Sequence, residues 1–197
     1  MNKLILISGI FTVAVTAIIT ACNSSSGKTT DPLPKKTKEE ELIQRGSYLV
    51  TVGGCDDCHS PKIMGPNGPE IDMERRLSGF PSSRPIPTYN SELIKKGMIQ
   101  FNEDLTSSAG PWGVSFSANL TSDPTGASSW PLENFKYALR HGKLKGLKES
   151  RDLLPPMPWF NFAKMTDEDL EAVYTYLKTI KPVQNIVPGP KSPDEVK

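Results

Sequence analysis

Gly53-Gly54-Cys55-Asp56-Asp57-Cys58-His59 is the stretch on which the reading of this chain turns. Two cysteines three positions apart lie about one turn apart on a short helix. His59 follows at once, so its imidazole leaves the same turn. The pair stands out because the whole 197-residue chain has three cysteines and two histidines. Cys-x-x-Cys-His is the spacing that attaches a haem covalently: the thiols reach two vinyl groups on one porphyrin edge and the histidine reaches the iron. The motif predicts one haem c, held by Cys55 and Cys58, with His59 as an axial ligand.

Two other uses of the pair fit less well. A thioredoxin-like dithiol belongs in a βαβ setting, and the flanks here read as helix and loop. A zinc site needs four ligands, which would require both Cys58 and its neighbour His59, a poor tetrahedral arrangement.

Toward the amino terminus, Lys3 precedes an apolar run from Leu4 to Ile19 that is shorter than a spanning helix needs. Ile19-Thr20-Ala21-Cys22 follows, with small residues as at a cleaved export signal. It resembles a bacterial lipoprotein processing box, which implies a signal peptide over 1–21 and a lipid on Cys22. That lipid would tether the chain to a membrane in the bacterial cell envelope, facing the periplasm. With Cys22 acylated, no cysteines remain for a disulfide framework besides the motif pair. Asn23 to Lys36 is rich in Ser, Pro and Lys and reads as a flexible linker, set at 22–37. The residues from 184 to 197 carry Pro188, Pro190 and Pro193 and read as a Pro-rich tail. The folded domain is thus expected over 38–183. Lys and Arg total 23 against 22 Asp and Glu, a balance that gives no reason to expect nucleic acid as a partner.

Three helices are predicted inside that domain. The first opens on a Thr37/Glu40 capping box, carries Leu42, Ile43, Gly46, Leu49 and Val50 at helical spacing, and stops at Gly53-Gly54. The second follows Pro131 with Leu132, Phe135, Ala138 and Leu139, and ends on Arg140, His141 and Gly142. Thr166 caps the third, whose stripe is Leu170, Val173, Tyr174, Leu177 and Ile180 before Pro182. Between Ser60 and Trp130 only a weak helical pattern around 91–98 shows. So long a stretch without secondary structure fits a compact domain if it wraps a large cofactor. The expected fold class is all-α, three main helices with long loops around one covalent haem.

The iron's other axial position has several candidates. Met1 leaves with the signal. Met64 and Met73 follow the motif closely and belong to the histidine side, and Met98 reads as packing. Met165 precedes the capping Thr166 and is placed to staple onto Leu170. Met157 stands in Leu154-Pro155-Pro156-Met157-Pro158-Trp159, where flanking prolines hold the loop stiff. It is the favoured ligand, with His141 the alternative, though His141 also suits a helix C-terminal cap.

Taken together, these features resemble a class I cytochrome c. The segments Gly110-Pro111-Trp112-Gly113-Val114, Asn119-Leu120-Thr121-Ser122-Asp123 and Met157-Pro158-Trp159 are similar to haem domains in cytochrome subunits of membrane-bound alcohol and aldehyde dehydrogenases. Those subunits usually carry several haem domains, whereas this chain has one motif. The resemblance implies His59 and Met157 as the two axial ligands. It also implies a close crossing of the first and last helices, with Gly46 as the gap and Tyr48 or Tyr174 as the filler. A proline carbonyl, from Pro66 or Pro69, would orient the imidazole. Trp112, Trp130 and Trp159 would line the haem or serve the core. Asn119 and Asp123 suit side-chain caps of a turn better than a cation site. Arg140, Lys143, Lys145, Lys148 and Arg151 suggest a basic rim for an acidic redox partner.

The function expected from these readings is electron transfer between a donor and an acceptor redox protein, with no enzymatic activity. Two alternatives remain open: a haem-bearing subunit of a membrane-bound dehydrogenase or oxidase complex, and a haem enzyme or sensor with an open site.

Overall fold

A computed structural model describes residues 36–196. The expected leader over 1–21, Cys22 and the linker up to residue 35 lie outside the described residues.

Helix α1 (Lys38–Val52) starts where predicted: the Thr37 hydroxyl accepts from Glu40 N at 3.2 Å, and the Glu40 carboxylate accepts from Thr37 N at 2.8 Å. Helix α6 (Asp167–Leu177) is capped by Thr166, whose hydroxyl accepts from Asp169 N at 3.1 Å. Three acidic residues fill its electropositive first turn. The two helices cross at Gly46, where an added Cβ would stand 2.0 Å from the Ala172 carbonyl oxygen. Only a residue without a side chain lets the backbones meet there. The neighbour across the gap is Tyr176, not the expected Tyr48 or Tyr174. Tyr48 is exposed, and Tyr174 turns to Phe135 and donates its hydroxyl to the Trp130 carbonyl at 2.6 Å. Helix α4 (Leu132–His141) brings Phe135 into a core with Val50, Leu77, Val173 and Leu177.

The fold is mixed rather than all-α. The stretch read as loop contains an antiparallel hairpin of β1 (Lys62–Gly65) and β2 (Gly68–Ile71). It also contains a three-stranded antiparallel sheet of β3 (Gln100–Phe101), β4 (Ser107–Gly110) and β5 (Gly113–Phe116). These strands escape a periodicity search because they are short and β4 is Ser-Ser-Ala-Gly, buried along its whole length. Their signal lies in the turns. Gly65-Pro66-Asn67-Gly68 and Gly110-Pro111-Trp112-Gly113 share one pattern, a proline that presets the turn and a closing glycine at φ +119° and +94°. The short helix α3 (Ser91–Lys95), capped by Asn90, packs Ile94 against the sheet with Tyr89, Ala109 and Val114.

The segment after 183, read as a tail beyond the folded part, lies along the domain. Buried Asn185 donates to the Ser78 and Phe80 carbonyls at 2.6 and 2.9 Å and accepts from Ser82 N at 2.9 Å. Lys191 pairs with Val114 through two backbone hydrogen bonds of 2.9 Å, and Val196 packs against the sheet cluster. Prolines misdirect here: they exclude helix and regular strand, yet an extended strap pinned by a few bonds tolerates them.

Candidate haem site

The motif occupies helix α2 (Cys55–His59), which Gly54 at φ +65° turns away from the end of α1. Five residues cannot hold a helix by themselves, because nucleation costs more than so few hydrogen bonds return. Surrounding segments hold it instead. Gly79 N donates to the His59 carbonyl at 2.7 Å. The Lys62 ammonium donates to the Asp56 carbonyl at 3.3 Å, to the Asp57 carbonyl, and to the Asp104 carbonyl at 2.8 Å. Asp56 pairs with Arg76 through two bonds of 2.9 and 2.7 Å.

His59 donates Nδ1–H to the Ala118 carbonyl at 2.7 Å, which leaves Nε2 as the free ring nitrogen. Burial pushes the imidazole pKa down against the opposing pull of that carbonyl. A neutral ring with one nitrogen tied back is the form that ligates a metal. The orienting carbonyl is thus Ala118, just past β5, not Pro66 or Pro69 in the first hairpin. Cys55 and Cys58 are free thiols. Burial first, then the Asp56 charge, raises Cys55 to about 11, and burial also raises Cys58.

A cavity of about 440 Å³ opens beside α2. Cys55, Cys58 and His59 line it, and so does Met157, from the loop ahead of α5 (Trp159–Phe162). Most of the remaining wall is apolar, with Leu49, Phe135, Leu139, Leu154 and Phe162 among its members. This volume is in the range of cofactor pockets. Two thiols, a neutral oriented imidazole, a thioether and greasy walls form a donor set that fits a covalent haem. The Met157 loop is tied to the sheet, since the Ser115 hydroxyl, another wall group, donates to the Pro155 carbonyl at 2.6 Å.

The other candidates fall in different places. His141 is exposed, stacks on Tyr137 at 4.2 Å and does not line the cavity. Met64, Met73 and Met98 are exposed. Met165 packs against the helical core and also reaches the cavity wall. Among the tryptophans, Trp130 lines the cavity. Trp112 donates to Ser115 at 3.2 Å, and the Trp159 ring lies against Gly142. Asn119 and Asp123 cap a turn: Asn119 Oδ1 accepts from Thr121 N at 2.9 Å and Asp123 Oδ1 from Thr125 N at 2.8 Å. The basic rim is thinner than its sequence suggests. Arg140 pairs with Asp167 at 2.6 Å and Lys143 with Asp152 at 2.7 Å, while Arg151 lines the cavity. Sequence reasoning missed Ala118, Ser115, Lys62 and Arg76, none of which belongs to a local motif.

No protein-family model matches the chain. Curated proteins do. The chain is similar to cytochrome c subunits of dehydrogenases. It is 28% identical over 183 residues to the fructose dehydrogenase cytochrome subunit of Gluconobacter japonicus, covering 92% of this chain and 29% of that protein. It is 30% identical over 154 residues to the cytochrome c subunit of a quinone alcohol dehydrogenase from Gluconobacter oxydans, covering 76% and 24%. It is 29% identical over 138 residues to the gluconate 2-dehydrogenase cytochrome c subunit of Pantoea cypripedii, covering 70% and 23%. The chain therefore spans less than a third of the length of the curated relatives it matches. All three names are those of cytochrome subunits, in keeping with the expectation that the chain is not itself an enzyme.

Proposed function

We propose that this chain is an electron-transfer c-type cytochrome of the bacterial cell envelope, carrying one haem c on Cys55 and Cys58. The observation that carries the reading is one apolar cavity walled by both motif thiols, the Ala118-oriented imidazole of His59 and the thioether of Met157. Bound there, a haem supplies a one-electron iron couple. The protein's part is to attach, orient and shield. Cys55 and Cys58 would hold the haem covalently, His59 and Met157 would ligate its iron, and the leucines and phenylalanines would keep water out. With both ligands bound to the iron, the chain would pass one electron without binding a substrate. Met157 is preferred over Met165 because Met165 already packs into the helical core.

The similarity to dehydrogenase cytochrome subunits supports a more specific reading, in which the chain serves a membrane-bound dehydrogenase or oxidase complex and its redox partners are subunits of that complex. A lipid on Cys22 would keep it at the membrane.

Haem staining of the denatured chain, with a haemochrome assay for stoichiometry, tests the attachment: one haem that survives denaturation is expected, and loss of the stain on denaturation would refute it. The oxidised protein should show a near-infrared methionine–iron band that Met157→Ala removes and Met165→Ala and His141→Ala leave in place. Carbon monoxide binding to the reduced wild-type protein would favour the open-site alternative instead. Metabolic labelling with a fatty acid should tag the wild-type chain and not Cys22→Ser. Co-purification from solubilised membranes identifies the complex.

A further inference from the structure

Of the five residues of α2, Asp56 alone does not line the cavity. Its carboxylate points to other elements. Oδ1 accepts from Arg76 Nε at 2.9 Å and from the Ser60 hydroxyl at 2.6 Å, and Oδ2 accepts from Arg76 Nη2 at 2.7 Å. The third nitrogen of the guanidinium, Nη1, donates to the Tyr176 hydroxyl on α6 at 2.7 Å. Ser60 completes the set by accepting from Leu77 N at 2.9 Å. Leu77, beside Arg76, is fully buried at a left-handed φ of +59°, a costly backbone for a leucine that persists where surrounding bonds over-determine it.

The pair is not an ordinary surface ion pair. The Arg76 and Asp56 side chains are 20% and 15% exposed, and the contact is a two-pronged fork. Arg76 therefore joins three things: the residue between the two attachment cysteines, the strained turn at Leu77, and the helix that crosses α1.

Resting on the reading that Cys55 and Cys58 carry haem, we propose that Arg76 is a positioning and charge-balancing residue that holds α2 against α6 and cancels the Asp56 carboxylate between the two attachment points, so setting the reduction potential. The physical ground is the shielded location. An unpaired charge on α2, between the two cavity-lining thiols, acts at lower dielectric than in water, and an unpaired carboxylate there would favour the oxidised state of a bound haem. An unpaired guanidinium favours the reduced state by the same argument.

Potentiometric titration of the holo-protein tests this, with haem staining run beside it. Arg76→Met should lower the midpoint potential, and Asp56→Asn should raise it. The double variant should return toward the wild-type value, because its charge is again balanced. A merely structural clamp behaves differently: both single variants would shift the same way, or neither would shift, and either result overturns the proposal. If Arg76→Met fails to fold, Asp56→Asn decides alone, since asparagine keeps the shape and removes the charge; an unchanged or lower potential then overturns the proposal. A wild-type chain without covalent haem would instead sink the functional reading and this proposal with it, and the stain reports that separately from the potential.

Discussion

Asp104 has 2% of its side chain exposed, and donors converge on it. The Thr106 hydroxyl reaches it at 2.5 Å, Arg84 Nη1 at 2.6 Å, Asn102 Nδ2 at 2.7 Å, and the backbone amides of Thr106 and Lys62 at 3.2 and 3.3 Å. Burial by itself would raise its pKa; the bonds from Thr106 and Arg84 outweigh burial and hold it below the ordinary carboxylate value. A folded-state pKa below the unfolded one stabilises the fold at any pH above about 4, and that contribution fades as pH falls through the folded-state value. Acid denaturation followed by circular dichroism should therefore show a component that Asp104→Asn removes. The same substitution should cost about 1–3 kcal/mol at neutral pH, because it loses the charge-assisted bond to Arg84. Equal acid sensitivity of the two proteins would contradict the assignment.

At the scale of elements, the β4–β5 hairpin does more for the site than its length suggests. Ser115 on β5 holds the Met157 loop, and Ala118 just beyond β5 holds the His59 ring. One hairpin thus sets both prospective axial ligands. Ser115→Ala should loosen the methionine side alone, so the near-infrared methionine–iron band should weaken while haem attachment stays complete. The helix pair is set at a single point. Gly46→Ala would drive a methyl into the Ala172 carbonyl and the Tyr176 Cβ, which would stand 2.0 and 2.6 Å away. Overpacking of this kind costs about 1–3 kcal/mol, and urea denaturation should show at least that loss. Thr166→Ala, which removes only a cap, should cost about 1 kcal/mol.

Much of this level is legible without coordinates. The caps at Thr37 and Thr166 and the stop at Gly142 are readable, because helix ends are set by residues three or four apart; the gap at Gly46 came from the family resemblance. The hairpins are harder to see. Their strands are two to four residues long, too short for an alternation to show, and the repeated Gly-Pro-x-Gly turn marks their position. Tyr176 rather than Tyr174 meets Gly46 because it lies four residues after Ala172, on the same helix face as the backbone contact point.

For the whole molecule the apolar cavity links cofactor binding to stability, because a group that binds the folded chain and not the unfolded one stabilises the fold. A Cys55→Ser/Cys58→Ser chain, unable to retain haem covalently, should therefore keep much of its far-ultraviolet signal but lose its near-ultraviolet signal and its sharp thermal transition. A cooperative transition at the wild-type temperature would contradict this. The strap over 184–196 belongs to the same scale: Pro188 and Pro190 line the cavity, and buried Asn185 anchors the strap to the segment 78–82.

By itself the sequence determined what depends on spacing along the chain: the Cys55/Cys58/His59 motif, the helix caps and the short list of methionines. The tertiary structure decided what depends on the chain's path. It brought Met157 rather than His141 to the cavity wall, chose the Ala118 carbonyl to orient His59, and joined Asp56, Arg76 and Tyr176. The physical reason is range. Caps and motifs are satisfied within a helical turn, whereas a buried donor or charge takes whichever partner the fold delivers, here 59 residues away for His59 and 100 for Arg76.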